Sequence, residues 1–283
     1  MSHLFDKEDV DVAWCAGCGN FGILKILKEV VEELGVKKNS LVIVSGIGQA
    51  AKTPYYIDAN MFGVLHGRAL PVATGITLGN ENLCVVAEGG DGDMYGEGGN
   101  HFIHTIRRNP DIVHIVHNNM VYGLTKGQAS PTSQRGFETK VQVKGVANEP
   151  FNPLAVALSL RAGFVSRVNI GDAAHAKEVL KEAFRHKGYA LVDILQPCVV
   201  FNKVNTYKWF KDNSYMLDDS YDSGDFEGAV KKSLETLPMP IGVLYKNRNE
   251  RVTFEETIRG RDAKPLHSVT HDMAKIKSLF ESY

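Results

Sequence analysis

No run of 18 or more apolar residues occurs in the sequence, so a membrane-spanning helix is not expected. An excess of charge of either sign is missing too. Lys plus Arg (32) nearly cancels Asp plus Glu (33), and no strong field draws in nucleic acid or an anionic membrane. Cysteine is scarce, four residues in all, and two of them, Cys15 and Cys18, form a Cys-x-x-Cys pair. A secreted disulfide framework is therefore not expected, and a reducing cytoplasm is the expected location. The opening run MSHLFDKEDVDVAW lacks the basic start and apolar stretch of a secretory signal. Internal repeats and low-complexity tracts are also absent. With 43% hydrophobic and 23% charged residues, the chain has neither the polarity of a disordered segment nor the bias of a coiled coil.

Glycine is abundant in one place. Of the 27 glycines, 12 fall between Gly46 and Gly99, where an even spread would put about five. Glycine weakens element interiors and is kept where the backbone turns sharply or approaches a ligand. A binding site is expected in this window.

The apolar pattern reads as alternating strands and helices. LVIVSG (41–46), NLCVVAE (82–88), DIVHIVHNN (111–119), FVSRVN (164–169) and YALVDILQ (189–196) are short runs rich in β-branched residues and bounded by turn residues, as in a parallel sheet covered on both faces. Helices are expected over 20–34, with Phe21, Leu24, Leu27 or Val31 and Leu34 on one stripe, over 97–109, and over 153–160. Another runs over 172–188, capped by Asp172 and ended by Gly188. The expected fold class is therefore α/β with a doubly wound, mostly parallel sheet. Residues 203–225 look like a long ordered loop before a last helix capped by Asp225, followed by a flexible tail with a strand at 241–246.

Three polar loops follow directly on three expected strands: Ser45-Gly46-Ile47-Gly48, Gly89-Gly90-Asp91-Gly92-Asp93 and Asn118-Asn119. In an open parallel sheet such loops meet at the carboxyl ends of the strands, where ligands bind. A carboxylate and an amide oxygen there are hard ligands suited to magnesium, and neighbouring glycines let backbone N–H groups reach phosphate oxygens. Gly-Asp-Gly alone is common in turns. Asp91 and Asn119, however, lie 28 positions apart at two strand ends, and the joint arrangement is far more specific.

Gly90-Asp91-Gly92 with its downstream Asn119 resembles the thiamine diphosphate-binding motif. The run GDGDMYGEGGNHFIHTIRRNPDIVHIVHNNMVYGLTKGQ (90–128) resembles the β subunits of 2-oxoacid:ferredoxin oxidoreductases. WCAGCGNFG (14–22), SGIGQ (45–49), LHGRALPVATG (65–75) and LQPCVVFNK (195–203) match the same family in the same order. The resemblance implies a thiamine diphosphate-binding fold, with residues 1–225 as the cofactor domain carrying the N-terminal Cys-x-x-Cys segment. Residues 226–283 would form a helix and tail packed on that domain or on a partner.

Carried over, Asp91, Asn119 and the Val121 carbonyl would bind Mg2+. Gly46, Ile47, Gly48, Gly90, Gly92 and Asp93 would cradle the diphosphate, with His66 and Arg68 nearby. Leu124 would hold the cofactor bent, and Thr125, Lys126 and Gln128 would lie at the substrate carboxylate. Cys15, Cys18 and Cys198 would ligate a [4Fe–4S] cluster. The activity implied is oxidative decarboxylation of a 2-oxoacid to an acyl-coenzyme A, or the reverse, with electrons passing through the cluster to ferredoxin. The implied partner is an α subunit supplying the glutamate that activates the aminopyrimidine ring.

The sequence departs from the family pattern at Gln49, where many relatives have a cysteine after Gly-Ile-Gly. Cys84 lies inside an expected core strand and is read as buried and inert; Asp58 and His66 are the guesses for a fourth ligand. By spacing alone, Cys15 and Cys18 also suit zinc or a thioredoxin-type disulfide. The alternatives are accordingly a thiol–disulfide redox protein and a thiamine-binding subunit without a cluster. The run Gly46-Ile47-Gly48-Gln49-Ala50-Ala51-Lys52 leans toward 2-oxoglutarate over pyruvate.

Overall fold

The computed structural model describes residues 4–261 and 263–282. Its strands are β1 (Leu41–Ser45), β2 (Asn60–Gly63), β3 (Cys84–Gly90), β4 (Val113–Asn118), β5 (Phe164–Asn169), β6 (Ala190–Leu195), β7 (Ser214–Met216) and β8 (Met239–Lys246). They form one sheet in the order β2-β1-β3-β4-β6-β5-β8-β7. Pairing is parallel except between β5 and β8. The helices are α1 (Gly19–Glu33), α2 (Ala69–Gly79), α3 (Gly99–Arg108), α4 (Pro153–Ser159), α5 (Ala173–Arg185), α6 (Tyr207–Asp212), α7 (Phe226–Ser233), α8 (Phe254–Arg259) and α9 (Met273–Glu281). None of the described helices is long and apolar enough to cross a membrane.

The central strands are buried along their whole length because both faces are covered. On one face, Ile23, Leu27 and Val30 of α1 and Val179 and Leu180 of α5 pack on Ile43, Val86, Ile115 and Val192. On the other, Leu70 of α2, Phe102 and Ile106 of α3, Leu154 and Leu158 of α4 and Ala229 of α7 pack on Val44, Ala87, Val116 and Leu191. Val44 and Ile43 thus serve opposite cores, as the two-residue strand period requires. The doubly wound parallel sheet expected from the sequence is the one observed. Its register brings Ser45 beside Glu88, Gly90 beside His117 and Asn118 beside Leu195, so β1, β3, β4 and β6 end together.

Several local expectations are corrected. Phe21 stands outside the buried stripe of α1 at 40% exposure, edge-on to Trp14. Asp172 caps α5 through the His175 N–H, but the helix ends at Arg185, before Gly188, whose positive φ of 105° serves the turn into β6. The stretch 203–225 is not one loop; it contains α6 and β7. Asp225 caps α7 by accepting from the Glu227 N–H, yet α7 is not the last helix. α8 follows with a Thr253–Glu256 capping box, and its Glu255 is buried against Asp111. A flexible tail is therefore the wrong description of residues 254–259, and β8 (239–246) begins two residues before the expected strand. β2 and α2 were not foreseen at all. β2 is an exposed edge strand without an apolar run, and α2 mixes Gly, Thr and Val in a helix that lacks a charged face.

A candidate cofactor and metal site at the strand ends

A cleft opens where β1, β3 and β4 end, lined by Ile47, Gly48, Gln49, His66, residues 90–93, Asn119 and residues 121–125. Every residue expected to hold the cofactor lines it except Gly46 and Arg68. Gly46 stands behind the lining, and a Cβ there would come within 2.1 Å of the Asp93 carboxylate. Gly92 is equally tight, since a Cβ would meet the Tyr122 ring at 2.2 Å. Only glycine lets these loops close.

Asp93, nearly fully buried, organises the loops. Its Oδ1 accepts from the Ile47 N–H (3.2 Å) and the Gly67 N–H (2.8 Å) and lies 2.7 Å from His66 Nδ1. Burial pushes its pKa up, partly offset by those N–H donors and by His66. Arg68 is exposed and turned toward the Glu97 carbonyl at 3.3 Å. Immediately after Asp91, residues Gly92–Glu97 form a π-helical turn that leads into α3. Such turns are rare and frequent at functional sites.

Asp91 is 1% exposed, and no cationic side chain among the described residues pairs with it. Its Oδ2 accepts from the hydroxyls of Ser130 and Thr132, both at 2.5 Å. Burial pushes its carboxyl up to about 6, with the two hydroxyls pulling the other way and the Asp193 charge adding to the rise. A buried carboxylate with hydroxyl partners and no cation suits a hard divalent ion. Asn119 lies at the same cleft, its Oδ1 accepting from the Val121 N–H at 3.1 Å. The Val121 carbonyl takes no hydrogen bond from a described donor. Three oxygen donors of the expected type are thus brought to one cleft, and the residues present fit magnesium.

Ser130 and Thr132 were missed by sequence reasoning. They sit in an irregular segment whose only signal is small hydroxyl residues around Pro131. Asn118, noted only as a strand-end polar residue, links Thr132 to the interior. Its Oδ1 faces the Thr132 hydroxyl at 2.9 Å, and its Nδ2 donates to Asp193 at 3.1 Å.

The loop of residues 122–128, where the substrate carboxylate is expected, is closed by a bridge between Tyr122 and Gln128. Leu124 (42% exposed) and Thr125 line the cleft; Lys126 and Gln128 do not. Lys126 is exposed with φ of 75°, while Gln128 accepts from the Thr125 hydroxyl at 2.5 Å.

Comparison with known proteins places this geometry. Residues 42–194 match the family model for the thiamine pyrophosphate enzyme C-terminal TPP-binding domain. Residues 198–262 match that for the C-terminal part of the pyruvate ferredoxin oxidoreductase β subunit. The β subunit of a 2-oxoacid:ferredoxin oxidoreductase from a Sulfolobus species is 45% identical, over 95% of this chain and 90% of that one. A 2-oxoglutarate oxidoreductase subunit KorB from Mycobacterium tuberculosis is 41% identical, over 81% of this chain and 57% of that one. The chain belongs to the 2-oxoacid:ferredoxin oxidoreductase β-subunit family. Among solved structures, a 2-oxoglutarate:ferredoxin oxidoreductase from Magnetococcus marinus superposes with a TM-score of 0.90 at 35% identity, covering 97% of this chain and 94% of that one. That structure has 2-oxoglutarate, coenzyme A and succinyl-CoA bound.

The three cysteines expected to act together lie on two segments of the chain. Cys18 is the N-cap of α1, Cys15 is exposed one turn earlier, and Cys198 follows β6. Burial raises the Cys18 pKa; the Asn20 N–H lowers it, and charge on Cys198 and Cys15 raises it further, so both of those thiols lie within electrostatic reach of Cys18. Cys198 Sγ also abuts the 122–128 loop, 3.8 Å from where a Gly123 Cβ would stand. All are free thiols. Among the described residues no group of three His, Cys, Asp or Glu side chains is gathered tightly enough for a single metal ion.

The guessed fourth ligands are engaged elsewhere: Asp58 pairs with Lys38 at 2.5 Å, and His66 with Asp93. Gln49 accepts the Trp14 indole N–H on its carbonyl, while its buried Oε1 has no partner. Burial pushes the Cys84 thiol up to about 12, which fits the inert role expected of it.

Proposed function

We propose that this chain is the thiamine diphosphate-binding subunit of an enzyme that oxidatively decarboxylates a 2-oxoacid to an acyl-coenzyme A, or runs the reverse carboxylation. The convergence of Asp91, Asn119 and the Val121 carbonyl with glycine loops at three adjacent strand ends carries this reading. Thiamine diphosphate, when bound, supplies the electron sink for loss of carbon dioxide.

This chain's own residues do the holding. Asp91, Asn119 and the Val121 carbonyl would take Mg2+, with Ser130 and Thr132 fixing the Asp91 carboxylate. Gly46, Ile47, Gly48, Gly90, Gly92 and Asp93 would line the diphosphate, and His66 and Arg68 border it. Leu124 would support the cofactor from the exposed side. Thr125, Lys126 and Gln128, on their hydrogen-bonded loop, would meet the substrate carboxylate. Cys15, Cys18 and Cys198 would hold a [4Fe–4S] cluster next to the cleft, giving electrons a short path to ferredoxin.

The names of the Mycobacterium and Magnetococcus relatives support 2-oxoglutarate as the 2-oxoacid. An α subunit is the proposed partner, and the four free thiols suit a reducing cytoplasm. The division at residue 225 belongs to the same proposal: 1–225 bear the cofactor and cluster, and 226–283 pack on that domain or a partner.

The test is anaerobic co-purification with the α subunit. Iron near four atoms per copy of this chain, with ferredoxin reduction dependent on 2-oxoacid and coenzyme A, is expected. Zinc, or titratable thiols without iron, would leave the cofactor cleft standing and remove the electron path.

A further inference from the structure

A second cavity, of about 300 Å3, has Asn118 and Thr132 in its wall. Its walls are mixed: Met120, Phe151, Trp209, Leu237 and Met239 form an apolar part, and polar and charged side chains form the rest. Of the two arginines that line it, Arg135 is exposed and paired with Glu149, and Arg167 is buried. Arg167 of β5 is 8% exposed and held at Nε by Asp193 at 2.7 Å. Asp193 is itself fully engaged, accepting also from the Tyr95 hydroxyl (3.0 Å) and Asn118 Nδ2 (3.1 Å). No described acceptor takes a hydrogen bond from either Nη of Arg167. The carboxylates at the same cavity are matched elsewhere, Glu149 to Arg135 (2.8 Å), and Glu235 to Lys232 (3.0 Å) and the Tyr215 hydroxyl (2.5 Å). The outer donors of the Arg167 guanidinium therefore have no partner among the described residues at this cavity.

A planar guanidinium anchored at Nε presents its remaining N–H groups as a fork that matches a carboxylate in two parallel hydrogen bonds. Those donors are not sealed from solvent, so water holds them until an anion exchanges it for two charge-assisted hydrogen bonds. The volume stands at the small end of the range for ligand cavities, so the ligand is small. We propose that this cavity binds a small organic carboxylate with an apolar body, its carboxylate on Arg167 and its body between Trp209 and Phe151. The inference goes beyond the cofactor reading and does not depend on it.

The experiment is calorimetric titration of benzoate into the assembly of this chain with its α subunit, loaded with thiamine diphosphate and Mg2+. One benzoate per copy of this chain is expected, undisturbed by saturating 2-oxoglutarate. Neutral benzyl alcohol should bind at least about tenfold more weakly, one charge-assisted hydrogen-bond pair being worth that much. Arg167→Gln should show a similar loss and Arg167→Lys a smaller one, because lysine keeps the charge beside Asp193 without the fork. Should the Gln variant fail to fold, Trp209→Ala carries the same expectation through the apolar wall. Absence of binding, equal affinity for benzyl alcohol, unchanged affinity in the Lys and Trp209→Ala variants, or displacement by 2-oxoglutarate would each overturn the proposal.

Discussion

Two buried carboxylates, Asp91 at the strand-end cleft and Asp193 in the sheet interior behind it, lie on one chain of hydrogen bonds. Asp193 on β6 meets an arginine, a tyrosine and an asparagine; Asp91 meets two hydroxyls. The interior site is complete within the chain, because its negative charge is matched by a buried cation and neutral donors. The cleft site is polar, desolvated and without a cation. A carboxylate answered by the fold is structural, whereas one given only orienting hydroxyls is set for an ion from outside. The difference lies in what surrounds each group, since burial is shared.

The contrast can be broken most forcefully at Asp193. Asp193→Ala strands Arg167 as a buried unpaired charge and should cost about 3–5 kcal/mol of unfolding free energy. Urea denaturation measures it, and cofactor affinity of the folded fraction should change little. Thr132→Val, at the junction, removes the hydroxyl that stands between Asp91 and Asn118 and supplies its one donor there. It should cost about 2 kcal/mol, and here cofactor affinity should fall too, seen by titrating thiamine diphosphate with Mg2+ present.

A third buried group tests whether a neutral interior residue behaves differently. His114 packs among Tyr95, Phe102 and Tyr189, and burial pushes its imidazole down to about 3 from 6.5. The folded protein keeps it neutral where the unfolded chain takes up a proton. Stability is therefore full above pH 6.5 and is lost as pH falls toward 3, by about 1.4 kcal/mol per pH unit from this residue. Unfolding midpoints between pH 7 and about 4.5 should flatten in His114→Gln relative to the parent. Outside all of these, Asp225→Ala removes the α7 N-cap and should cost about 1 kcal/mol with no effect on the cofactor. Thermal unfolding measures it.

The parallel sheet was legible in the sequence because its strands are buried on both faces and spell continuous β-branched runs. The cleft was legible because Gly46, Asp91 and Asn119 stand directly after such runs. What escaped was set by tertiary context. β2 is an exposed edge strand whose composition resembles a loop, and the Ser130–Thr132 hydroxyls act across 39 and 41 positions on Asp91, a pairing no local pattern encodes. Phe21 obeyed the helical period, but it stays 40% exposed at the rim of the core, edge-on to Trp14. The α6–β7 stretch was hidden because six-residue helices and three-residue strands leave too few positions for a period to show. The resemblance to the family drew the cysteines and the cleft together; in the structure Cys198 Sγ stands beside Gly123, which lines the cleft.

The most direct measurement is calorimetric titration of thiamine diphosphate into the assembly with the α subunit, with and without Mg2+, for the parent chain and for Asp91→Ala. The expected result is Mg2+-dependent binding in the parent and at least about a 100-fold loss in the variant, close to 2.7 kcal/mol, with unfolding free energy held or raised. Equal affinity in the two proteins, or binding indifferent to Mg2+, would contradict the assignment of Asp91 as the carboxylate set for an outside ion.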